Sequence, residues 1–491
     1  MNASNMILEI AVLVLGLALL LIDLWTDAQH KRSLGYGAAA ALAVILAFSF
    51  YRFSGMTVSF AMGPDASHGP FMVDGLALFF KRFFLLSAII VLLISVEFAD
   101  RIETGISEFY SLLVFALAGM MFAASANDFT MLFVSLETIT VSFYILTSFQ
   151  RNRLPSLEAG LKYLILGALS TALTVYGIAL VYGMSGTMSF PELAAKSASI
   201  ANQPLFLMGL LLVVAGLAFK ISAFPLQIWA PDVYQGSPVP TTAFLAIGSK
   251  AAGFILLLRV LFSAVPEITA HWTDLLIVMS AITILYGNLC AMPQQNIKRL
   301  LGYSSIAQAG YLLLGVAAMA GNLKNSTGGA AILYYLSGYL FTILGAFAVL
   351  CLVLRQVEVE DISALDGLGQ RSPLLASAMT CAMVSLAGIP PLAGFFGKFL
   401  LIKSALEQGA TNSSYYWLVA IAIAGVLISI YYYFGVIRAI YWSRDSRDLR
   451  PIIISIPTRF ILYVCMAGML YLGIFPNAFL KIATQAAEFI K

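Results

Sequence analysis

The sequence predicts an all-α integral membrane protein of about fourteen spanning helices, two of them broken. Three observations carry this. Of 491 residues, 61% are hydrophobic and only 10% are charged, against roughly 25% charged in soluble domains. Long apolar runs recur from end to end, and no polar stretch between them is long enough for a soluble domain. Two of the runs carry proline next to lysine: Lys220 with Pro225, and Pro390–Pro391 with Lys398.

Taken in order, runs of about 18 or more mostly apolar residues fall near 6–23, 34–51, 73–97, 108–126, 128–149, 158–183 and 204–229. They continue near 240–262, 272–292, 299–320, 327–354, 373–405, 414–440 and 457–480. The first has no basic n-region before it and no small-residue cleavage site after it, so it is expected to be retained. The seventh contains Pro225, which lacks a donor and clashes with the preceding turn. The twelfth is too long for one straight crossing and should break at Pro390–Pro391, with Gly394 and Gly397 following.

Lysine and arginine cluster in loops after odd-numbered spans, among them Lys31, Arg101, Arg151, Arg153, Lys298, Arg299, Arg355, Arg444, Arg447 and Arg450. The other loops carry few, chiefly Arg52, Lys196 and Lys324. The odd loops are therefore expected in the cytoplasm, with both termini periplasmic in a bacterial inner membrane. The broken spans lie five helices apart. Two units of five would then have opposite topology, and paired interrupted helices in inverted repeats point to an ion path. The expected divisions are 1–100 for three N-terminal spans, 105–265 for the first repeat (helices 4–8), 270–442 for the second (helices 9–13) and 450–491 for a last span.

The ionisable residues inside these spans carry the functional reading, because intramembrane charges are costly and mark ion paths, relays and their partners. Glu137 is mid-span in the fifth helix, with Lys220 as its natural partner. Lys250 is mid-span in the eighth, with uncharged residues for about 12 Å either way at helical rise; the alternative is a lysine reaching to the interface. Lys398 lies beside a break whose freed carbonyls need polar partners, or else belongs to a polar helix end. Lys162 stands near the start of the sixth helix, where an i, i+4 pair with Glu158 serves as well as a role in transport. Lys81 and Arg82 read as interfacial, and Tyr431–Tyr433 and Trp229 as belt or packing residues. Linked by hydroxyls such as Ser222, Thr241 and Ser249, the four mid-span groups would form a polar axis along the membrane.

Other chemistry is not signalled. Cys290, Cys351, Cys381 and Cys465 lie in apolar runs without CxxC spacing, and read as buried hydrophobes rather than a disulfide or metal site. His30, His68 and His271 are scattered, and no Rossmann fingerprint, P-loop or haem motif occurs. No cofactor is expected on this chain, so the energy for moving charge must come from a partner or a second gradient.

Three stretches resemble a known family: FKISAFPLQIWAPDVYQGSPVPTTAFL, NIKRLLGYSSIAQAGYLL (Asn296–Leu313) and SLAGIPPLAGFFGKF (Ser385–Phe399). They are similar to the antiporter-like membrane subunits of respiratory complex I, the proton-pumping NADH:quinone oxidoreductase, and most of all to the bacterial N-type. The resemblance implies a fourteen-helix fold with two inverted repeats. It places the family's proton-path residues on Glu137, Lys220, Lys250 and Lys398, with Lys162 as a further lysine. It also implies that NADH, FMN, iron–sulfur clusters and quinone belong to partner subunits, and that the chain's neighbours are M-type and K-type membrane subunits and the lipid bilayer. The lysine at 398 and the end of the chain soon after the last span fit the N-type better than its sisters. The alternative is a subunit of a multisubunit cation/proton antiporter that works without redox chemistry.

Overall fold

The computed structural model describes all residues except 1–2, 28, 54–68, 103–104, 323–326, 358–359, 443–450 and 489–491. His68, Lys324, Arg444, Arg447 and Arg450 lie outside the described residues. Within them the chain is helical, with only isolated β-bridges such as Asp128 to Ser189. Among the described residues, twelve helices are long and apolar enough to cross a bilayer.

The chain begins with α1 (Ile7–Asp23), α2 (Leu34–Arg52) and α3 (Gly75–Phe98). Next come α4 (Ile106–Ala124), α5 (Phe129–Thr147) and α6 (Leu154–Ser185). Asp128 turns the chain sharply between α4 and α5 and caps the latter, its Oδ1 accepting from the Met131 N–H at 2.6 Å. A short amphipathic helix that the apolar runs do not reveal, α7 (Phe190–Ile200), carries Pro191 in its first turn and buries Phe190 and Leu193.

The first broken span is α8 (Pro204–Ile221) followed by α9 (Trp229–Gly236). Then come α10 (Val239–Ala264), α11 (Thr273–Ala291), α12 (Ile297–Gly321) and α13 (Thr327–Leu354). The second broken span is α14 (Pro373–Ala387) with α15 (Ala393–Gln408). The chain ends with α16 (Ser414–Trp442), α17 (Ile456–Ile474) and α18 (Pro476–Ala487). The last expected span is thus shorter than 457–480, because Pro476 starts a separate helix. Helix α1 has 17 residues, and the halves α14 and α15 have 15 and 16.

Burial sorts these helices into a centre and a rim. Every residue in the apolar window of α10 is buried, and α12 and α13 are nearly as enclosed; α2, α6 and α16 keep wide apolar faces outside. A soluble protein would hide such faces, whereas lipid accommodates them. In the centre, α10 packs on α8 and α3, α12 on α9, α11 and α15, and α13 on α15, α17 and α3. Helix α10 also departs from α geometry: π-helical segments span Leu245–Ser249, just before Lys250, and Arg259–Ala264. Such segments are frequent at functional sites.

The N-terminal helices are tied in by buried ion pairs. Arg259 grips Asp74 with two bonds, of 2.8 and 2.9 Å, and donates a third to the Ala124 carbonyl. Lys81 lies 2.7 Å from Glu9, both buried. Lys81 is therefore not interfacial as expected: its position near a helix start is balanced by a carboxylate from α1. Arg82 donates to the Ser49 carbonyl and lies over the Phe50 ring.

Candidate proton path

The first break places Lys220 in the last turn of α8, where it is buried. Ser222 ends the helix in the left-handed region at φ 61°. Broken backbone in a membrane must find other partners, and it does. The Trp229 indole donates to the Phe219 carbonyl at 2.8 Å, Ala223 N–H to Ala218 O at 2.8 Å, and Phe224 N–H to Thr283 Oγ1 at 3.0 Å. Trp229 is thus a structural donor inside the break rather than a belt residue. The Phe224–Pro225 peptide is cis.

The Lys220 ammonium donates to Thr140 Oγ1 on α5. Glu137, one turn earlier on α5, accepts from Thr171 Oγ1 of α6 at 2.8 Å. The direct Glu137–Lys220 pair expected from the sequence is not made. Thr140 meets the lysine, and the carboxylate turns towards α6 beside a groove lined by Leu112, Phe133 and Val141. Glu137 is accordingly only half-buried.

Helices α8 and α10 approach closely. A Cβ at Gly253 would lie 2.7 Å from Ile221 Cγ2 and 3.3 Å from Lys220 Cβ, so glycine there lets the two lysine-bearing helices meet. Lys250, one turn earlier on α10, is buried and donates to the Ser305 carbonyl on α12 at 2.5 Å and to its hydroxyl. It does not reach to an interface.

From Ser305 a hydroxyl network continues along the centre of the molecule. Tyr234 and Tyr339 meet Ser305 Oγ at 3.1 and 3.2 Å. The Tyr339 ring stacks on Tyr335, whose hydroxyl donates to Gln308 Oε1. The Gln308 amide donates to Tyr433 Oη at 3.2 Å, and Tyr433 also bonds Ser304 at 2.5 Å. Tyr432 donates to Asn288 at 2.9 Å. Of the three consecutive tyrosines, then, only Tyr431 faces outward; helical geometry turns its two neighbours into the core.

Lys398, the last of the buried lysines, makes no hydrogen bond to this network among the described residues. It is buried on α15, and its ammonium reaches back over the break to the Leu386 carbonyl at 2.7 Å. It also lies 4.8 Å from the centre of the Tyr311 ring. Gly388 ends α14 at φ 82°, and a Cβ there would press on Lys398 Cδ at 3.0 Å, so both conformation and space favour glycine. The two breaks differ in one respect: Lys220 precedes the first, whereas Lys398 follows the second.

The remaining expectations fall elsewhere. Lys162 is 41% exposed and pairs at 2.7 Å with both Glu158 and Asp232. Asp232 in turn holds Arg299 at 2.5 Å. Lys162 thus belongs to a charged cluster at one end of the bundle, apart from the buried lysines. Beside it, buried Lys298 contacts Glu360 at 3.0 Å, and Arg153 contacts the other oxygen at 2.9 Å. Of the hydroxyls expected to link the axis, Thr241 bonds the Leu146 carbonyl and Ser222 Oγ has no partner. The polar partners found are instead Thr140 at Lys220 and, from Lys250 onward, Ser305, Gln308, Tyr335, Tyr339 and Tyr433; among the described residues no hydrogen bond joins Lys220 to Lys250 or this network to Lys398. All four cysteines are free. Among the described residues no three His, Cys, Asp or Glu side chains gather where they could hold a metal ion.

Comparison with known proteins decides the family. Residues 126–429 match the family described as NADH:quinone oxidoreductase/Mrp antiporter, TM. NADH-quinone oxidoreductase subunit N of Desulforamulus reducens is 40% identical over 99% of this chain and 98% of the relative. This chain belongs to the subunit N family. Subunit N of Trichlorobacter lovleyi is 39% identical over all of the chain and 98% of its own length. Among solved structures, a chain of respiratory complex I from Thermus thermophilus with bound aureothin superposes with a TM-score of 0.78 at 32% identity, covering 96% of this chain and 98% of its own. A chain of the Mrp complex from Dietzia sp. reaches 0.83 at only 20% identity, covering 100% and 98%. The fold is therefore shared with the Mrp chain, while sequence places the chain with the subunit N relatives.

Proposed function

We propose that this chain is a proton-conducting membrane subunit of a bacterial NADH:quinone oxidoreductase. The observation that carries the reading is the continuity between Lys250 and Ser305. It joins an ammonium on the most buried helix to a run of hydroxyls and one amide leading towards Lys398. Protons would load at Lys220, tuned by the charge of nearby Glu137, pass to Lys250, and leave by way of Lys398. Lys162 would act at the charged end of the bundle, guarding the approach to this path. Helices α4–α10 and α11–α16 would form the two inverted repeats of a fourteen-span topology, with α1–α3 and α17 flanking them.

Moving one charge across the membrane costs about 2.3 kcal/mol per 100 mV. On this reading the energy comes from NADH oxidation and quinone reduction at FMN, iron–sulfur and quinone sites in partner subunits, with no redox centre on this chain. M-type and K-type membrane subunits would be the neighbours, and both termini would face the periplasm. The subunit N relatives support this assignment. The likeness in fold to an Mrp chain supports a second reading, a cation/proton antiporter subunit without redox chemistry.

Isolation of the tagged chain from its native membrane separates the two. Copurifying flavin and iron–sulfur absorbance, together with NADH-driven, uncoupler-sensitive proton movement in vesicles, is expected. A complex free of redox centres that exchanges sodium for protons overturns the assignment.

A further inference from the structure

Beside the proton path, the outer face of α16 holds a groove that the proton chemistry does not use. It runs from Tyr431 to Trp442 and is walled by Phe434 and Met292, with Gln294, Gln295 and Arg438 supplying its polar groups. Its floor is open at Gly435, where an added Cβ would meet nothing within 4 Å. Arg438 is exposed and has no hydrogen-bond or ion-pair partner among the described residues. Tyr431 and Trp442 are each 71% exposed.

We propose that this groove binds one anionic phospholipid of the surrounding bilayer, with its phosphate on Arg438 and an acyl chain along Phe434 and Tyr431. Position, length and charge argue for this occupant. Helix α16 carries Trp417 exposed near one end and Trp442 exposed at the other. At helical rise they lie about 38 Å apart, the spacing of two interfacial belts. Trp442 therefore marks headgroup level, and Arg438 lies one turn inside it. From Trp442 to Tyr431 is about 16 Å, close to half the hydrocarbon thickness and so the depth of one leaflet. An unpaired guanidinium at the rim, with two glutamine side chains beside it, suits a phosphate, which arginine grips through paired donors. An apolar segment of a partner protein would fill the walls but leave the guanidinium unmatched. The proposal needs only that the chain spans a bilayer, so it stands or falls separately from the proton path.

The test uses the intact complex, reconstituted into vesicles of equimolar phosphatidylglycerol and phosphatidylcholine, with one or the other lipid carrying a photoreactive acyl chain. Labelled sites are mapped by mass spectrometry. Labelling within residues 431–442 is expected to favour phosphatidylglycerol by about fivefold, the size of one basic residue's attraction to anionic lipid. Arg438→Gln should abolish the preference while leaving some labelling. Gly435→Trp, which fills open space and leaves the fold intact, should remove labelling by both lipids. Quinone reduction by each variant complex confirms assembly. Equal labelling by the two lipids overturns the proposal in favour of ordinary boundary lipid. No labelling by either lipid in the wild-type complex overturns it in favour of a sister subunit covering the groove.

Discussion

The Lys398 ammonium spans the second helix break to the Leu386 carbonyl, 2.7 Å away. A helix end leaves carbonyls without intrahelical partners, and a buried cation satisfies one here. The lysine is thereby held at the break instead of among apolar side chains. Lys398→Met removes the charge and keeps much of the stem. It should lower coupled proton pumping by about a hundredfold, the scale of a lost proton-transfer group. Lys398→Arg should recover part of it. The check is acridine-dye quenching in vesicles driven by NADH, with assembly verified on native gels.

Lys250 offers a sharper contrast, because its partner is both backbone and side chain of Ser305. Ser305→Ala removes the hydroxyl but leaves the carbonyl, so Lys250 keeps an acceptor while Tyr234 and Tyr339 lose theirs. Pumping should fall more than assembly does. Each hydrogen bond lost is worth about 1 kcal/mol net, or roughly fivefold in rate. Lys250→Ala should abolish pumping. Equal effects of the two substitutions would contradict a relay through the serine hydroxyl.

Thr140, one turn after Glu137 on α5, takes the bond donated by the Lys220 ammonium. Thr140→Val keeps the shape and deletes the acceptor, leaving a buried ammonium short of a partner at about 1–3 kcal/mol. Thr140→Ser should be nearly silent. Steady-state quinone reduction, with and without uncoupler, separates loss of coupling from loss of turnover.

The charged end of the bundle should respond to acid. Burial alone would raise the Glu360 carboxyl, but Lys298 and Arg153 outweigh it and hold it below its ordinary value of 4.5. A carboxyl depressed in the folded state contributes stability above its unfolded value and loses that contribution as pH falls through the folded one. The advantage of the wild-type complex over Glu360→Gln in thermal unfolding should therefore be full at neutral pH and shrink below about 4.5. An advantage that persists unchanged in acid would contradict this clamp.

Two buried pairs fasten the first three helices. Breaking one partner of such a pair strands a charge and costs about 3–5 kcal/mol, whereas removing both partners can be neutral. Lys81→Met should impair assembly, and Lys81→Met with Glu9→Gln should restore it. Quantitative native gels of membrane extracts compare the two.

The sequence and the structure agree best where a single residue violates its surroundings. Lys220, Lys250 and Lys398 stand out because apolar neighbours flank them, and Pro225 and Pro390 announce the breaks by removing donors. Lys162 with Glu158 was legible from i, i+4 spacing alone. What stayed hidden depends on distant partners. Ser305, Tyr335 and Tyr433 look like ordinary residues of apolar helices until α12, α13 and α16 bring them together. Lys81 looked interfacial because Glu9 approaches it from another helix. Charge alone points to a Glu137–Lys220 pair, and Thr140, a neutral residue one turn after Glu137, takes the contact instead.

The most direct test is Lys220→Ala in the native host, with NADH-driven quinone reduction and proton uptake followed in the same membrane vesicles. Both should fall together while the complex still assembles, because electron transfer coupled to a blocked proton path stalls. Unchanged rates of both in an assembled complex would mean that the buried lysine is structural, and would contradict a proton path through it.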